Sequence, residues 1–171
     1  LLRNLKIDRP NQVWAIDITY VGTSYGFAYM VAIIDWYSRF IVGWAISNTL
    51  QTDFVIRAVK EAISKYGKPE IINSDQGSQF TSKAYIDCIK AQETIKISMD
   101  GKGRATDNIM IERFFRSYKW ERLYLLRPET VKQAKAMTKE YIQHYNYVRA
   151  HQGLDNVTPY SIYRSQQKAA A

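Results

Sequence analysis

A carboxylate in the middle of an apolar stretch is the feature that most constrains what this chain can fold into. Residues 13–20 (VWAIDITY) alternate as a β-strand does, and Asp17 lies on the face opposite Trp14 and Ile16. Buried acids are rare in proteins unless they are paired or bound to a metal ion. Asp17 is therefore either an aspartate on a half-solvated strand face or a metal ligand whose partners lie further along the chain.

The segments that follow this strand predict an antiparallel meander and then a crossover. Apolar runs at 27–34 and 40–46 follow on short connections, which favours antiparallel pairing. Thr52 or Asp53 is predicted to cap a helix, and a short strand at 69–74 comes after that helix. A crossover of helical length can place this strand parallel to the first one.

The second half of the chain is predicted to be mostly helical. The predicted elements are helices at 81–91, 107–125 and 130–147, a strand at 94–98, and a last short helix opened by Thr158 and Pro159. The apolar stripe of the 107–125 helix comprises Ile111, Phe114, Phe115, Tyr118 and Leu125. The inward positions of the 130–147 helix, which Thr130 can cap, comprise Val131, Ala134, Thr138, Tyr141, Ile142, Tyr145 and Val148.

The net charge and the hydrophobic content limit which classes of protein this chain can belong to. The 24 Lys and Arg residues against 16 Asp and Glu residues give a formal net charge of +8, which favours a polyanionic partner, nucleic acid above all. With 46% hydrophobic residues, the 171-residue chain can build one domain with a sizeable core. No apolar run is long enough to span a bilayer and no signal peptide precedes Leu1, so we expect a cytoplasmic protein with no membrane partner.

The few cysteine and histidine residues narrow the kind of metal site. The lone Cys88 excludes an intramolecular disulfide, and with only His144 and His151 beside it a tetrahedral zinc site is not expected. His151, close to Arg149, is predicted to be a structural hydrogen-bonding group rather than a catalyst. Any metal site in this chain is therefore expected to use carboxylate oxygens.

Two further acids are candidates for the functional site. Asp75 ends the strand at 69–74, and open α/β sheets place their ligands at the carboxyl ends of strands. Glu112 lies on the 107–125 helix, with Asn108 one turn before it and Arg116 one turn after it. Taken alone, the pattern favours an exposed ion pair between Glu112 and Arg116, worth only a few tenths of a kcal/mol, over a functional role for Glu112.

A glycine-spaced basic loop at 99–105 precedes that helix. It is not a P-loop, because Gly101-Lys102-Gly103-Arg104 lacks the four-residue spacer and the Lys-Ser/Thr ending that hold a nucleotide. The segment is either an ordinary loop or a basic finger that lies near a phosphate backbone.

Taken in order, three acidic motifs resemble those of a known superfamily. The motifs are residues 14–20 (WAIDITY), 73–80 (NSDQGSQF) and 107–115 (DNIMIERFF). They look like the acidic motifs of the DDE transposase and retroviral-integrase superfamily, in particular those of bacterial insertion-sequence transposases. Residues 35–39 (DWYSR) and 145–151 (YNYVRAH), together with Thr158-Pro159, are similar to further motifs of the family. One departure is that 36 residues separate Asp75 from Glu112, one more than the spacing for which the family is named.

The resemblance implies an α/β, RNase H-like fold. We expect a mixed five-stranded sheet flanked by helices, with a helical C-terminal extension. The expected boundaries are an N-terminal arm or linker at 1–12, a catalytic core at 13–126, and the extension of the same domain at 127–168. The upstream helix-turn-helix domain of such transposases has no counterpart in this chain.

The resemblance also implies a site with two Mg²⁺ or Mn²⁺ ions. Asp17 would bridge the ions, Asp75 would hold one and Glu112 the other, with Asn108 orienting Glu112. Hard carboxylate ligands suit Mg²⁺ or Mn²⁺ better than zinc, and two such ions can drive an in-line displacement at a phosphodiester. The residues expected to contact DNA phosphates are Lys102, Arg104, Arg113, Arg116 and Lys119.

The expected activity is metal-dependent DNA strand cleavage and strand transfer, that is, DNA integration and recombination during transposition. The expected partner is double-stranded DNA, both transposon ends and target, bound by a homodimer or a larger assembly. Two alternatives remain at this point: an RNase H-like nuclease that hydrolyses without transfer, and a non-catalytic DNA-binding remnant. A glycosidase is disfavoured, because two carboxylates would suffice for it and the basic charge would have no role.

Overall fold

The computed structural model of the protein describes residues 2, 4–99 and 108–167. Its strands are β1 (Val13–Thr23), β2 (Gly26–Asp35), β3 (Ile41–Ser47), β4 (Ile71–Ser74) and β5 (Lys96–Met99). Its α-helices are α1 (Thr52–Tyr66), α2 (Ser78–Thr81), α3 (Lys83–Lys90), α4 (Ile109–Tyr118), α5 (Tyr124–Leu126), α6 (Val131–Tyr147) and α7 (Pro159–Gln167). A π-helical turn, Lys119–Leu123, joins α4 to α5, and a 3₁₀ turn, Gln152–Leu154, precedes α7. Within these ranges no helix is long and apolar enough to cross a membrane.

The five strands form one mixed sheet in the order β3-β2-β1-β4-β5. The pairs β1/β2 and β2/β3 are antiparallel, whereas β1/β4 and β4/β5 are parallel. The predicted meander and the parallel crossover strand are therefore confirmed. Strand β1 is the central strand of the sheet, so its side chains have strands on both sides and helices on both faces.

Helices cover both faces of the sheet. On one face, Trp14 and Ile16 of β1 pack in a core with α1, α3 and α7. On the other, Ala15 and Val21 of β1 pack in a second core with α4 and α6. Asp17 belongs to this second face by alternation. Helices bury Ala15 and Val21 on that face completely, whereas Asp17 itself is half-buried and keeps contact with solvent.

Two helix starts differ in how they are capped. The prediction that Thr52 or Asp53 caps α1 is wrong, since Gln51 occupies the cap position and makes no side-chain hydrogen bond there. The prediction for Thr130 is confirmed, because its hydroxyl accepts from the Gln133 N–H and the Gln133 side chain returns to the Thr130 N–H in a capping box.

Two elements differ from their predicted extent. The single helix predicted at 81–91 is two helices, α2 and α3, separated at Ser82, whose hydroxyl caps α3. The strand predicted at 94–98 lies at 96–99. The predicted basic loop beyond Met99 and the predicted helix start at 107 lie outside the described residues.

Two apolar side chains predicted to face the core are exposed instead. Leu125 is 73% exposed, because the π-helical turn inserts an extra residue into the helix and rotates everything after it out of phase. Val148 is 66% exposed, because α6 ends at Tyr147 and Val148 lies past the last helical turn. The remaining inward positions predicted on these two helices contribute to the core or pack against it.

Candidate active site

The parallel pairing of β1 and β4 brings Asp17 and Asp75 to adjacent positions. Ala15 is paired with Asn73; two residues further on, Asp17 lies on β1 and Asp75 lies directly after the end of β4. Neighbouring strands lie about 4.8 Å apart, so the two acids leave the sheet side by side. Both line one cavity of about 160 Å³, together with Phe80. The sheet itself therefore determines that the first two acidic motifs are neighbours.

Local hydrogen bonds orient these two carboxylates. Asp17 is half-buried, and its Oδ1 accepts a hydrogen bond from the Ile18 N–H at 2.7 Å. Asp75 is exposed, and its Oδ1 accepts from the Gly77 N–H at 2.9 Å. A Cβ added at Gly77 would lie 2.9 Å from the same oxygen, so any other residue there would displace the Asp75 carboxylate. Glycine at this position thus preserves the turn that Asp75 makes with its backbone.

Glu112 reaches the cleft from the other side. It lies in the first turn of α4, is exposed, and borders a cavity of about 370 Å³ that Asp17 also lines. Asp17 thus borders both cavities, with Asp75 in one and Glu112 in the other. We refer to these two cavities together as the carboxylate cleft. The structure brings all three predicted acids to this cleft, with Asp17 between the other two.

The three acids are neighbours but do not form a closed cluster. Among the described residues, no group of three or more His, Cys, Asp or Glu side chains is arranged to hold a metal ion. Uncompensated carboxylates repel one another, and the two exposed members, Asp75 and Glu112, keep the solvent contact that reduces this repulsion. The donor chemistry fits a hard divalent cation, because each of the three side chains offers carboxylate oxygen only.

Asn108, predicted to orient Glu112, is buried at the start of the same helix. Its side chain is 5% exposed and stands at the start of α4, but it makes no capping hydrogen bond. Within the described residues its Oδ1 has no hydrogen-bond partner. A buried acceptor without a partner costs roughly 1–3 kcal/mol in stability. The Asn108 Oδ1 is such an acceptor, and it lies one helical turn before Glu112.

The predicted phosphate contacts divide into three groups. Arg116 and Lys119 line the carboxylate cleft beside Glu112. Arg113 does not, because it lies on the other flank of α4 and lines a separate cavity. The other two residues predicted to bind phosphate, Lys102 and Arg104, lie outside the described residues.

Two aromatic side chains of the cleft were missed by the sequence reasoning. Trp120 and Tyr124 line it together with Glu112, and their rings meet edge to face with centroids 5.5 Å apart. Trp120 is 65% exposed, which is unusual for so large an apolar side chain. The signal was present in the sequence, since Glu112, Arg116 and Trp120 follow one another at four-residue helical spacing.

Comparison with known sequences places these features in a family. A sequence model of the integrase core domain matches residues 7–105, more than half of the chain, and a second integrase core domain model matches residues 93–159. The transposase for insertion sequence element IS904 of Lactococcus lactis is 38% identical over 157 residues, which are 90% of this chain and 62% of the relative. The putative transposase InsK for insertion sequence element IS150 of Escherichia coli is 31% identical over 168 residues, 97% of this chain and 59% of the relative. The chain thus spans about three fifths of the length of these relatives.

Solved structures agree on the fold. The catalytic core domain of HTLV-2 integrase, solved in complex with magnesium, matches with a TM-score of 0.72 at 22% identity, over 91% of this chain and 98% of that one. The catalytic core domain of BIV integrase covers 94% of this chain and 98% of its own at 19% identity. These likenesses confirm the RNase H-like fold with its mixed five-stranded sheet. The match of the family model to more than half of the sequence, in a chain with this fold, shows that the protein belongs to the integrase core domain family.

Proposed function

We propose that this chain is the catalytic domain of an insertion-sequence transposase, which cuts DNA strands and joins 3′ ends to target DNA with the help of two Mg²⁺ or Mn²⁺ ions. The observation that carries the proposal is the position of Asp17, which borders a cavity with Asp75 on one side and a cavity with Glu112 on the other. The insertion-sequence transposases among its relatives and the net charge of +8 support a DNA substrate.

Each acid has a distinct role in this proposal. Asp17, fixed by the central strand, would help to hold both ions, while Asp75 and Glu112 would each help to hold one. When bound, the two ions would supply activation of the attacking water or 3′-hydroxyl and stabilisation of the leaving oxygen of the phosphodiester. Asn108, buried one turn before Glu112, is proposed to orient the Glu112 carboxylate by donating a side-chain amide N–H to it when the site is assembled.

The basic and aromatic side chains beside Glu112 are proposed to position the DNA strand. Arg116 and Lys119 border the same cavity as Glu112, where they can contact phosphates without reading sequence. Trp120 offers an exposed ring on which an unpaired base can stack. Contacts of this kind hold the scissile phosphate in place and leave the chemistry to the carboxylates.

The proposed assembly is a homodimer or a larger complex on DNA. Support comes from a similar structure, the simian T-cell lymphotropic virus intasome in complex with a PP2A regulatory subunit, which matches with a TM-score of 0.78. Because the chain spans about three fifths of its relatives, we propose that a region outside it, such as a helix-turn-helix domain, recognises the transposon ends.

The test is a strand-cleavage and strand-transfer assay with a labelled 3′-hydroxyl donor. We expect the unaltered chain to give both products with Mg²⁺ or Mn²⁺, and neither with Ca²⁺ or EDTA. Asp17→Asn, Asp75→Asn and Glu112→Gln should each abolish both products and leave salt-sensitive DNA binding nearly intact. Glu140→Gln, which alters an exposed acid on α6, is the matched control and should retain activity.

Three results would count against the proposal. Hydrolysis without any transfer product would replace it with the nuclease alternative. Full activity in any one of the three variants would remove that residue from the site, and the absence of metal-dependent activity in the unaltered chain would favour the DNA-binding remnant.

A further inference from the structure

Two sequence motifs that the carboxylate cleft does not use meet in one pocket. The motif at 35–39 contributes Arg39, and the motif at 145–151 contributes Tyr145, Arg149 and His151. Arg113 of α4 completes a cavity of about 170 Å³, which we call the arginine pocket. The two motifs are more than one hundred residues apart, so only the fold brings these cations together.

The fold holds Arg39 firmly in this pocket. Asp35 is fully buried, and its carboxylate accepts hydrogen bonds from the Asn11 N–H at 2.7 Å, the Ser38 N–H at 2.9 Å and the Ser38 hydroxyl at 2.6 Å. These bonds fix the turn from which Arg39 leaves, with a left-handed φ of 61°. The Arg39 guanidinium then packs against Gly153, where an added Cβ would lie 2.5 Å from one of its nitrogens.

The other three basic side chains of the pocket are held to different degrees. Arg149 follows the end of α6, forms an ion pair with Glu121, and donates to the Tyr141 hydroxyl oxygen at 3.3 Å. Arg113 is exposed on α4, one residue after Glu112. His151 is half-buried, with its ring 4.5 Å from that of Tyr145. The pocket is therefore built on three separate segments of the chain.

Positive charge is in excess at this pocket. Within the described residues neither Arg39 nor Arg113 forms an ion pair, and Glu121 is the one carboxylate paired with a cation of the pocket. Burial, together with the nearby Arg149 and Arg39, lowers the pKa of His151, so the positive charge of the pocket comes from its arginines rather than from the imidazole. Guanidinium groups that converge without enough carboxylates match the geometry and charge of a phosphate.

We infer that the arginine pocket binds a backbone phosphate of the DNA strand whose cleavage is proposed for the carboxylate cleft. The inference rests on that proposed function for the identity of the ligand. Glu112 borders the cleft and Arg113 borders the pocket, so the two sites lie on different flanks of α4. A helix is roughly 10–12 Å wide, which corresponds to about three nucleotides at 3.4 Å per step.

The surface between the two sites supports this path. Arg113 and Arg116 are both exposed and lie next to each other on the outer ridge of α4. A strand that leaves the cleft therefore crosses two cations before it reaches Arg39 and Arg149. This row of cations joins the cleft to the arginine pocket, as binding of one continuous DNA strand requires. Binding of a free acidic peptide would not require the two sites to be joined.

The experiment measures DNA binding by fluorescence anisotropy in EDTA, with a labelled duplex and salt from about 50 to 200 mM. Arg113→Gln is expected to lower the slope of log affinity against log salt by about 0.9, the value for one lost phosphate contact. Arg57→Gln removes the same charge from an exposed position on α1 and should leave the slope unchanged. Equal behaviour of Arg113→Gln and Arg57→Gln, or no binding by the unaltered chain, would overturn the inference.

A phosphate scan then tests whether the arginines share one phosphate. Neutral methylphosphonates are placed one at a time along the strand, and we expect one position to weaken binding by the unaltered chain. That position should have no effect in Arg39→Gln or Arg113→Gln. Gly153→Ala, which keeps the charge but pushes the Arg39 guanidinium aside, should show the same loss of sensitivity. Sensitivity to different phosphates in Arg39→Gln and Arg113→Gln would refute a common pocket.

Failure of the arginine-pocket inference can be distinguished from failure of the proposed function. The binding assay contains no metal, so its outcome does not depend on the metal site, and Glu140→Gln, which alters an exposed acid on α6, should behave in it like the unaltered chain. A phosphate that depends on the arginine pocket, found in a chain without cleavage activity, would refute the proposed function alone. Cleavage with no such phosphate would refute the arginine pocket alone. If Arg39→Gln fails to fold, the exposed Arg113→Gln still decides the outcome.

Discussion

Asn146 ties the longest helix to the edge of the sheet, and its replacement by alanine is expected to destabilise the fold. Its side chain is 3% exposed, its Oδ1 accepts from the Ile41 N–H at 2.9 Å, and its Nδ2 donates to the Ile41 carbonyl oxygen at 3.0 Å. Strand β3 is an edge strand, so the outward backbone groups of Ile41 have no neighbouring strand to pair with. The Asn146 amide takes the place of that neighbour.

The magnitude follows from what Asn146→Ala would leave unpaired. Two hydrogen bonds of about 0.5–1.5 kcal/mol each are lost, and each orphaned buried backbone group can add a penalty of about 1–3 kcal/mol. A cavity of about 160 Å³ borders both Asn146 and Ile41, so water can reach the orphaned groups and reduce that penalty. We therefore expect a loss of about 2–3 kcal/mol and a Tm lower by about 4–12 °C.

The assay is urea unfolding followed by circular dichroism. Gln143→Ala, an exposed position one turn earlier on α6 and on the rim of the same cavity, is the matched control. It should change the free energy of unfolding by no more than about 0.5 kcal/mol. If Asn146→Ala falls within about 0.5 kcal/mol of Gln143→Ala, the pairing with Ile41 does not stabilise the fold and the reasoning is refuted.

Three further outcomes follow from described contacts. Thr130→Ala breaks the capping box with Gln133 and should cost about 1 kcal/mol in urea unfolding; no change would mean that the box does not hold α6. Tyr118→Phe removes the hydroxyl that bonds the Thr138 hydroxyl at 2.7 Å inside the core, and a loss of about 1 kcal/mol is expected, with the reverse sign counting against that bond. The pKa of His151 is lowered by burial, so the unfolded chain binds its proton more readily. The stabilising contribution of His151 should be complete above the unfolded pKa of about 6.5 and should fall as pH drops through the folded pKa, a slope that His151→Gln flattens in urea titrations at several pH values.

The elements that the sequence predicts well are those with a strong local signal. The strand around Asp17 alternates clearly, and a helical crossover makes β4 parallel to it, so the adjacency of Asp17 and Asp75 follows from general rules of sheets. The placement of Glu112 on a helix follows from its apolar stripe. These signals are local or follow from the rules for connections between strands, which is why the sequence alone predicts these elements.

The features that were missed depend on tertiary contacts. The π-helical turn after α4 has no marker such as proline or glycine within residues 119–123, yet it decides that Leu125 is exposed. The arginine pocket depends on two motifs distant in sequence. The start of α1 lacks a side-chain cap because packing of its buried face, rather than local hydrogen bonding, holds that helix in place.

The separation of the three acids affects how the chain responds to metal. Asp17 is held by the central strand, whereas Asp75 and Glu112 are exposed at the borders of the cleft. Two like charges at 4 Å repel by about 4 kcal/mol at an effective dielectric constant of 20. For the metal-free chain, the open arrangement is therefore lower in free energy than a closed cluster would be.

On the proposed function, Asp75→Asn should change the effect of Mg²⁺ on Tm more than it changes Tm itself. Without metal the variant should melt at the same temperature or higher, because one repelling charge is gone. The unaltered chain and the Glu140→Gln control should gain about 1.4 kcal/mol at an Mg²⁺ concentration ten times Kd, which is roughly 3–6 °C, while Asp75→Asn gains nothing. An equal gain in Asp75→Asn would exclude this carboxylate from the metal site and leave Asp17 and Glu112 to bind the ion without it.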